Sequence, residues 1–325
     1  MIKKWLQLFR AQTAPLTVLT VMAAYFNGES NIFTGLILII LLILSHYMSY
    51  GHNSLMDTAM CYDTFDINKR HHPINNGTID INTAHKVIHI GMILVTILVI
   101  MVTVMIAINP IYSLVSLILW IVFGQAYNDG MSKESILAIP IISIQASTMI
   151  SWGWFLSHKN LDIIGLAFIM YNFVLIFLQI SFHGSLKDIK QSEKSSLITR
   201  LGTFYSNIHK KIIFTKPVIV LESLLKVFQL IFLLIILYYI SKIEHYYFYV
   251  ITIIPMFFLS IVVFIKMFDT KLTRKELMMA MSIEQIFSIY APLPLLINDM
   301  NLTIILLLGG FIYDLIYSSI IVVNN

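Results

Sequence analysis

The chain has 325 residues, 58% apolar and 12% charged, with 21 Lys and Arg against 17 Asp and Glu and a mean hydropathy of +0.84. A soluble domain sits near 45–50% apolar and about 25% charged, so an ordinary soluble globule is excluded. The single cysteine, Cys61, excludes an intrachain disulfide, and no basic stripe offers itself to a nucleic acid.

The apolar excess falls in runs of about 20 residues, the length that crosses roughly 30 Å of hydrocarbon as a helix. The short alternating strands of a transmembrane barrel are absent from the sequence. The pattern predicts an all-α, polytopic bundle in one domain, with spans at 13–27, 33–57, 84–108, 111–127, 136–157, 162–187, 218–241, 246–267, 276–297 and 301–322. Breakers at Asn27-Gly28, Asn109-Pro110 and Asn298-Asp299 mark several ends. The opening stretch has basic residues before an apolar core, as a signal peptide does. Pro15 opens that core and no A-x-A site follows, so it reads as a retained first helix.

With both termini in the cytoplasm, 18 of the 21 basic residues fall on inner segments; Lys159 and Lys242 fall outside and Lys226 lies within the seventh span. This positive-inside bias supports an even span count and a multi-pass protein of the cell membrane, its long polar loops cytoplasmic. An acidic segment follows span two and another follows span six, a spacing that fits a faint parallel repeat.

The first acidic segment begins on a helix. His46, Tyr50, Asn53 and Asp57 recur at i, i+4, i+7 and i+11, so they form one polar stripe, as an interior wall would. Asp63, Asp66, Lys69 and Arg70 follow. Taken alone they also fit a solvated loop of mixed charge. Carboxylates at a helix mouth can hold a hard cation such as Mg²⁺, which takes oxygen ligands and shares them with substrate phosphates. The pair His71-His72 lacks any zinc-type partner spacing. After span six, Gln179, His183 and Lys187 form a second stripe, followed by Asp188, Ser192 and Glu193. Deeper in the apolar runs, Glu222 and Lys226 are spaced to pair on their own helix, while Glu284 and Asp314 are expected to face the protein interior.

In order along the chain, these residues resemble the UbiA family of intramembrane prenyltransferases. Asn53-Ser-Leu-Met-Asp57 resembles the family's N-D-x-x-D, with Ser54 in place of the first acid. Asn68-Lys-Arg-His-His-Pro-Ile-Asn-Asn-Gly77 resembles its N-K-P-H-R-P-I-P-S-G, most familiar in the branch that prenylates dihydroxynaphthoate for menaquinone. Leu186-Lys-Asp-Ile189 and Thr199-Arg-Leu-Gly202 resemble the second signature, N-x-L-R-D-I … V-R-L-G, and FRAQTAPLTVLT the opening helix. The departures lie in the acids: Cys61 stands where motif one carries its third acid, and Ser192 where motif two carries its second.

The resemblance implies nine helices around a central cavity, plus here a tenth C-terminal helix. It implies Mg²⁺-dependent ionisation of an allylic prenyl diphosphate and capture of the cation by an aromatic or other hydrophobic acceptor, in contact with membrane lipid. The residues it assigns are Asn53, Asp57, Asp63, Asp66, Asp188 and Glu193 to the metal. Asp57, Asp188 and Lys187 go to catalysis, and Asn53, Lys69, Arg70, Tyr127, Lys133, His46, Tyr50 and His183 to the substrate. The alternatives are a membrane transporter and a weakened family member, either a prenyl-diphosphate binder or a cyclase or lyase without acceptor.

Overall fold

The structure is a computed structural model and describes residues 2–59, 72–128, 137–189, 196–206, 211–240, 246–270, 272, 274–297 and 300–322. Among these, helix dominates. Each predicted span contains helix, the helices being α1 (Ile2–Leu8), α2 (Ala14–Phe26), α3 (Ile32–Ala59), α4 (Ile81–Ile106), α5 (Pro110–Ala126), α6 (Ala138–Ser157), α7 (Ile163–Leu178), α8 (Ser185–Asp188), α9 (Leu197–Arg200), α10 (Lys216–Ile240), α11 (Tyr246–Lys266), α12 (Arg274–Tyr290), α13 (Leu293–Leu296) and α14 (Met300–Val322). Helices α3, α4, α6, the run Ile163–Gly184 and α10 are long and apolar enough to cross a membrane; Ala14–Phe26 and Pro110–Ala126 are shorter apolar helices.

The helices group into two compact units. One comprises residues 1–130, 149–160 and 297–325; the other comprises 131–148 and 161–296.

In the first unit, α1 ends at Leu8, and two residues on stands Arg10, the only described non-glycine residue with positive φ (46°). A 3₁₀ turn, Ala11–Thr13, leads into α2, whose second residue Pro15 suits a first helical turn. Helix α2 is buried almost throughout. Leu8, Phe9, Leu55, Ile79, Ala84 and Ile88 form a shared core of α1, α3 and α4, with Phe9 stacked on Tyr47 at 5.5 Å. Side-chain oxygens cap the next two helices: Asp80 accepts from the Thr83 amide at 2.8 Å, and Asn109 from the Tyr112 amide at 3.2 Å. On α4, Ile90, Ile93, Leu94 and Ile97 are exposed while Ala84, Ile88, Val95 and Val99 are buried, the split expected of a lipid-facing helix. Helix α14 docks beside α2: the Tyr313 hydroxyl donates to the Ala11 carbonyl and meets the Tyr47 hydroxyl, both at 2.9 Å.

In the second unit, α7 packs along α10 and α11 along α12. Leu178, Phe182, Leu186, Ile198, Val218, Phe264, Met267 and Leu277 make a core there. Two details refine the predicted spans. The span at 162–187 is three pieces in one continuous run, α7, a π-helical turn Gln179–Gly184, and α8. The span at 276–297 breaks after Tyr290, since Pro292 can neither donate a helical hydrogen bond nor fit inside the coil. A small antiparallel hairpin, Phe204–Ser206 against Lys211–Ile213, lies between α9 and α10 and has no counterpart in the predicted elements.

Candidate active site and a buried polar cluster

In the first unit, the predicted stripe lies along α3. His46 is buried, its Nε2 3.1 Å from the Thr13 hydroxyl and its Nδ1 3.0 Å from that of Thr17, so it fastens α3 to α2. One turn on, the Tyr50 ring lies 4.3 Å from the His46 ring. Asn53 Nδ2 donates to Asp57 Oδ2 at 3.4 Å, which leaves Asn53 Oδ1 buried and without a partner. Asp57 is buried, and Ser54 beside it donates to the Leu8 carbonyl at 3.3 Å. The serine that replaces the usual acid therefore ties α3 to α1.

Sequence reading missed one participant. Arg10, read only as a topology charge, places Nη2 3.9 Å from Asp57 Oδ2 and its guanidinium 5.5 Å from the Tyr50 ring centre. Its left-handed backbone turns the side chain back over α3, a conformation costly for a non-glycine residue and usually kept where a site needs it. Tyr127, at the end of α5, lies within electrostatic range of Tyr50 and Arg10.

Asn53 Oδ1 and Asp57 are hard oxygen donors one turn apart, the donor type that Mg²⁺ selects, so this pair fits such an ion. Among the described residues, no three His, Cys, Asp or Glu come together as a metal-binding group. Asp63, Asp66, Lys69, Arg70, Lys133 and Glu193 lie outside the described residues, as do the side chains of Lys187, Asp188 and Asp314. Asp188 itself ends α8.

The second unit buries a polar cluster in its apolar interior. Lys226 does not pair with Glu222 on its own helix, as the spacing suggested. Its ammonium is ion-paired to Glu284 of α12. It also donates to Gln229 Oε1 at 2.9 Å, Ser260 Oγ at 2.6 Å and Ser288 Oγ at 2.8 Å. Phe257 and Phe264 lie against the same ammonium at 5.0 and 5.8 Å. Glu222 instead accepts from Ser181 at 3.2 Å. The reason is burial: Glu222, Lys226 and Glu284 are all below 5% exposed, and a charge there requires every available partner. Because Lys226 is held as a cation by Glu284, its contacts with Ser260 and Ser288 are not a nucleophile–base arrangement. His183 Nε2 lies 3.5 Å from Glu284 Oε2. Both ring nitrogens, Gln179 Nε2 and Gln229 Nε2 are buried without a hydrogen-bond partner. Glu284 and Lys226 are 58 residues apart, so no local spacing could have paired them.

The sequence profile of the UbiA prenyltransferase family matches residues 14–283, and the chain belongs to that family. Among solved structures, a digeranylgeranylglyceryl phosphate synthase is similar at 19% identity and a TM-score of 0.62, covering 92% of this chain and 100% of that one. A UbiA homologue from Archaeoglobus fulgidus bound to GPP and Mg²⁺ is similar at 13% identity and a TM-score of 0.61, covering 90% of this chain and 99% of that one. The same homologue bound to DMAPP and Mg²⁺ matches at 14% identity and a TM-score of 0.60. No match was found among curated protein sequences.

Proposed function

We propose that this protein transfers a prenyl group, in a Mg²⁺-dependent reaction within the membrane, from an allylic prenyl diphosphate to an aromatic or other small hydrophobic acceptor. Its family consists of prenyltransferases, and its structural relatives include one bound to GPP and Mg²⁺. The observation that carries the reading is the orphaned buried oxygen of Asn53 beside the Asp57 carboxylate, with Arg10 close by. A buried polar atom without a protein partner is costly, and a bound cation at this place would satisfy it.

In this reading Asn53, Asp57 and Asp188 hold the metal, aided by Asp63, Asp66 and Glu193 from the loops. Bound Mg²⁺ supplies charge to stabilise the departing diphosphate. Arg10, Lys69, Arg70, Lys133 and Lys187 add positive charge for the phosphate oxygens. Tyr50 and Tyr127 present aromatic faces toward the allylic cation, while His46, locked by Thr13 and Thr17, holds that wall in place. His183 completes the substrate set from the second acidic segment. A transporter would line a path with polar groups at mid-membrane. The Lys226 cluster is instead a closed ion pair with a serine shell.

The test is diphosphate release from labelled prenyl diphosphates of several lengths, in membranes carrying the protein, with Mg²⁺ or EDTA. Release that requires Mg²⁺ and leads to a prenylated acceptor is the expected result. No release at any length, in conditions where a related enzyme works, would leave a binder without turnover. Asp57→Ala and Asp188→Ala each lower release by about a hundredfold or more, the usual effect of losing one transition-state charge stabiliser. Full activity in either variant removes that residue from the site.

A further inference from the structure

The π-helical turn Gln179–Gly184 sits between α7 and the four-residue helix that ends at Asp188, with no break in the run. A π turn packs an extra residue into the coil, so everything beyond it is rotated by about 100° relative to an uninterrupted α-helix. Such turns are poorer in hydrogen-bond geometry than the α-helix and persist where tertiary contacts hold them. Two buried acids from outside both acidic motifs contact this one. Glu222 of α10 accepts from Ser181 at 3.2 Å, and Glu284 of α12 faces His183 at 3.5 Å while its other oxygen takes the Lys226 ammonium. Ser181 and His183 are two of the six residues of the turn, and both are buried.

We infer that Glu222 and Glu284 are positioning residues: they clamp the π turn and so set the face of the helical run on which Asp188 is carried. Glu284 can serve only with Lys226 beside it, which makes the ion pair part of the clamp. The consequence for metal binding rests on the proposed role of Asp188; the clamp itself does not. Loss of the clamp lets the turn relax to α-helix and carries residue 188 around the axis. With side chains at 5–6 Å from that axis, a 100° rotation displaces the group by about 8 Å.

Two readouts separate the clamp from the chemistry, and both use the full chain in lipid nanodiscs. For the first, Cys61→Ser is combined with nitroxide labels at Asp188→Cys and at Phe204→Cys, an exposed position of the same unit. The label distance is compared with and without the double substitution Lys226→Met/Glu284→Leu, which removes both charges and the polar contact to His183. Ser181→Ala/Glu222→Leu provides a second, independent loosening should the first pair fail to fold. The expected result is a shifted or broadened distance distribution. An unchanged distribution in both overturns the clamp.

The second readout is the Mg²⁺ concentration for half-maximal diphosphate release, in chains that keep Asp188. The clamp variants should require about tenfold more Mg²⁺, with the KM for prenyl diphosphate at saturating Mg²⁺ little changed. A shifted label distance with unchanged Mg²⁺ demand overturns the positioning role. If the parent protein shows no Mg²⁺-dependent release, the proposed reaction fails, while the label distances still decide the clamp.

Discussion

Lys226 is held in an apolar interior by four oxygen atoms, and what happens when one partner is removed depends on what is left behind. Lys226→Met alone leaves Glu284 as a buried, uncompensated carboxylate, at a cost of about 3–5 kcal/mol. Lys226→Met/Glu284→Gln removes both charges and should come within about 1 kcal/mol of the parent, because the Coulombic gain of the pair is largely offset by its desolvation. Thermal unfolding in detergent checks this: a single variant as stable as the double would show that the ion pair is not the element holding Glu284. At the exposed end of α4, the Asp80 carboxylate accepts from the Thr83 amide and hydroxyl, and these bonds hold its pKa below the ordinary 3.8. A depressed acid contributes stability that is present above its unfolded pKa and is lost as pH falls through its folded one. Asp80→Ala should therefore lower Tm at pH 7, with the difference from the parent narrowing below about pH 4. Asn53 and Asp57 could be found from spacing alone because both lie on one helix, one turn apart. Arg10 could not, since its role follows from a left-handed backbone that no local pattern announces.

Among the elements, the apolar runs forecast the helices well because in a bilayer a backbone must satisfy its own hydrogen bonds within the segment. Run length says nothing about a π turn, a Pro292 break inside a predicted span, or a hairpin among polar loop residues; these depend on contacts made later in the chain. Helix approach is also set by small residues that hydropathy undervalues. A Cβ built at Gly153 of α6 would lie 2.7 Å from Val21 Cγ1 and 2.9 Å from the Val21 carbonyl oxygen of α2. Backbone cannot step aside, so Gly153→Ala should cost about 1–3 kcal/mol. A Cβ at Gly91 of α4 meets the Met48 thioether, the far end of a flexible side chain. Gly91→Ala should therefore be the milder of the two, as Met repacks readily. Equal losses of Tm in the two variants would mean that helix proximity here is not governed by the backbone contact.

For the whole molecule, the remaining sequence-level inference is the direction in which the chain sits in its membrane. The apolar residues exposed on α3, α4 and α10, among them Ile40, Ile93, Leu94, Val227 and Leu234, make sense only against lipid. Family membership places such a bundle in a membrane but does not orient it. Orientation comes from charge: 18 of 21 basic residues on one set of connections is a strong asymmetry, and basic loops resist translocation. The acidic segments share their loops with those basic residues, so the charge bias predicts that the proposed diphosphate site opens to the cytoplasm. The check is thiol labelling of intact cells with a membrane-impermeant maleimide, in a Cys61→Ser background. A cysteine at Lys159, between α6 and α7, should react from outside. One at Lys86, near the start of α4, should react only after permeabilisation. Reaction of Lys86→Cys in intact cells would invert the orientation, moving Asp57 and Asp188 to the outer face and the proposed substrate with them.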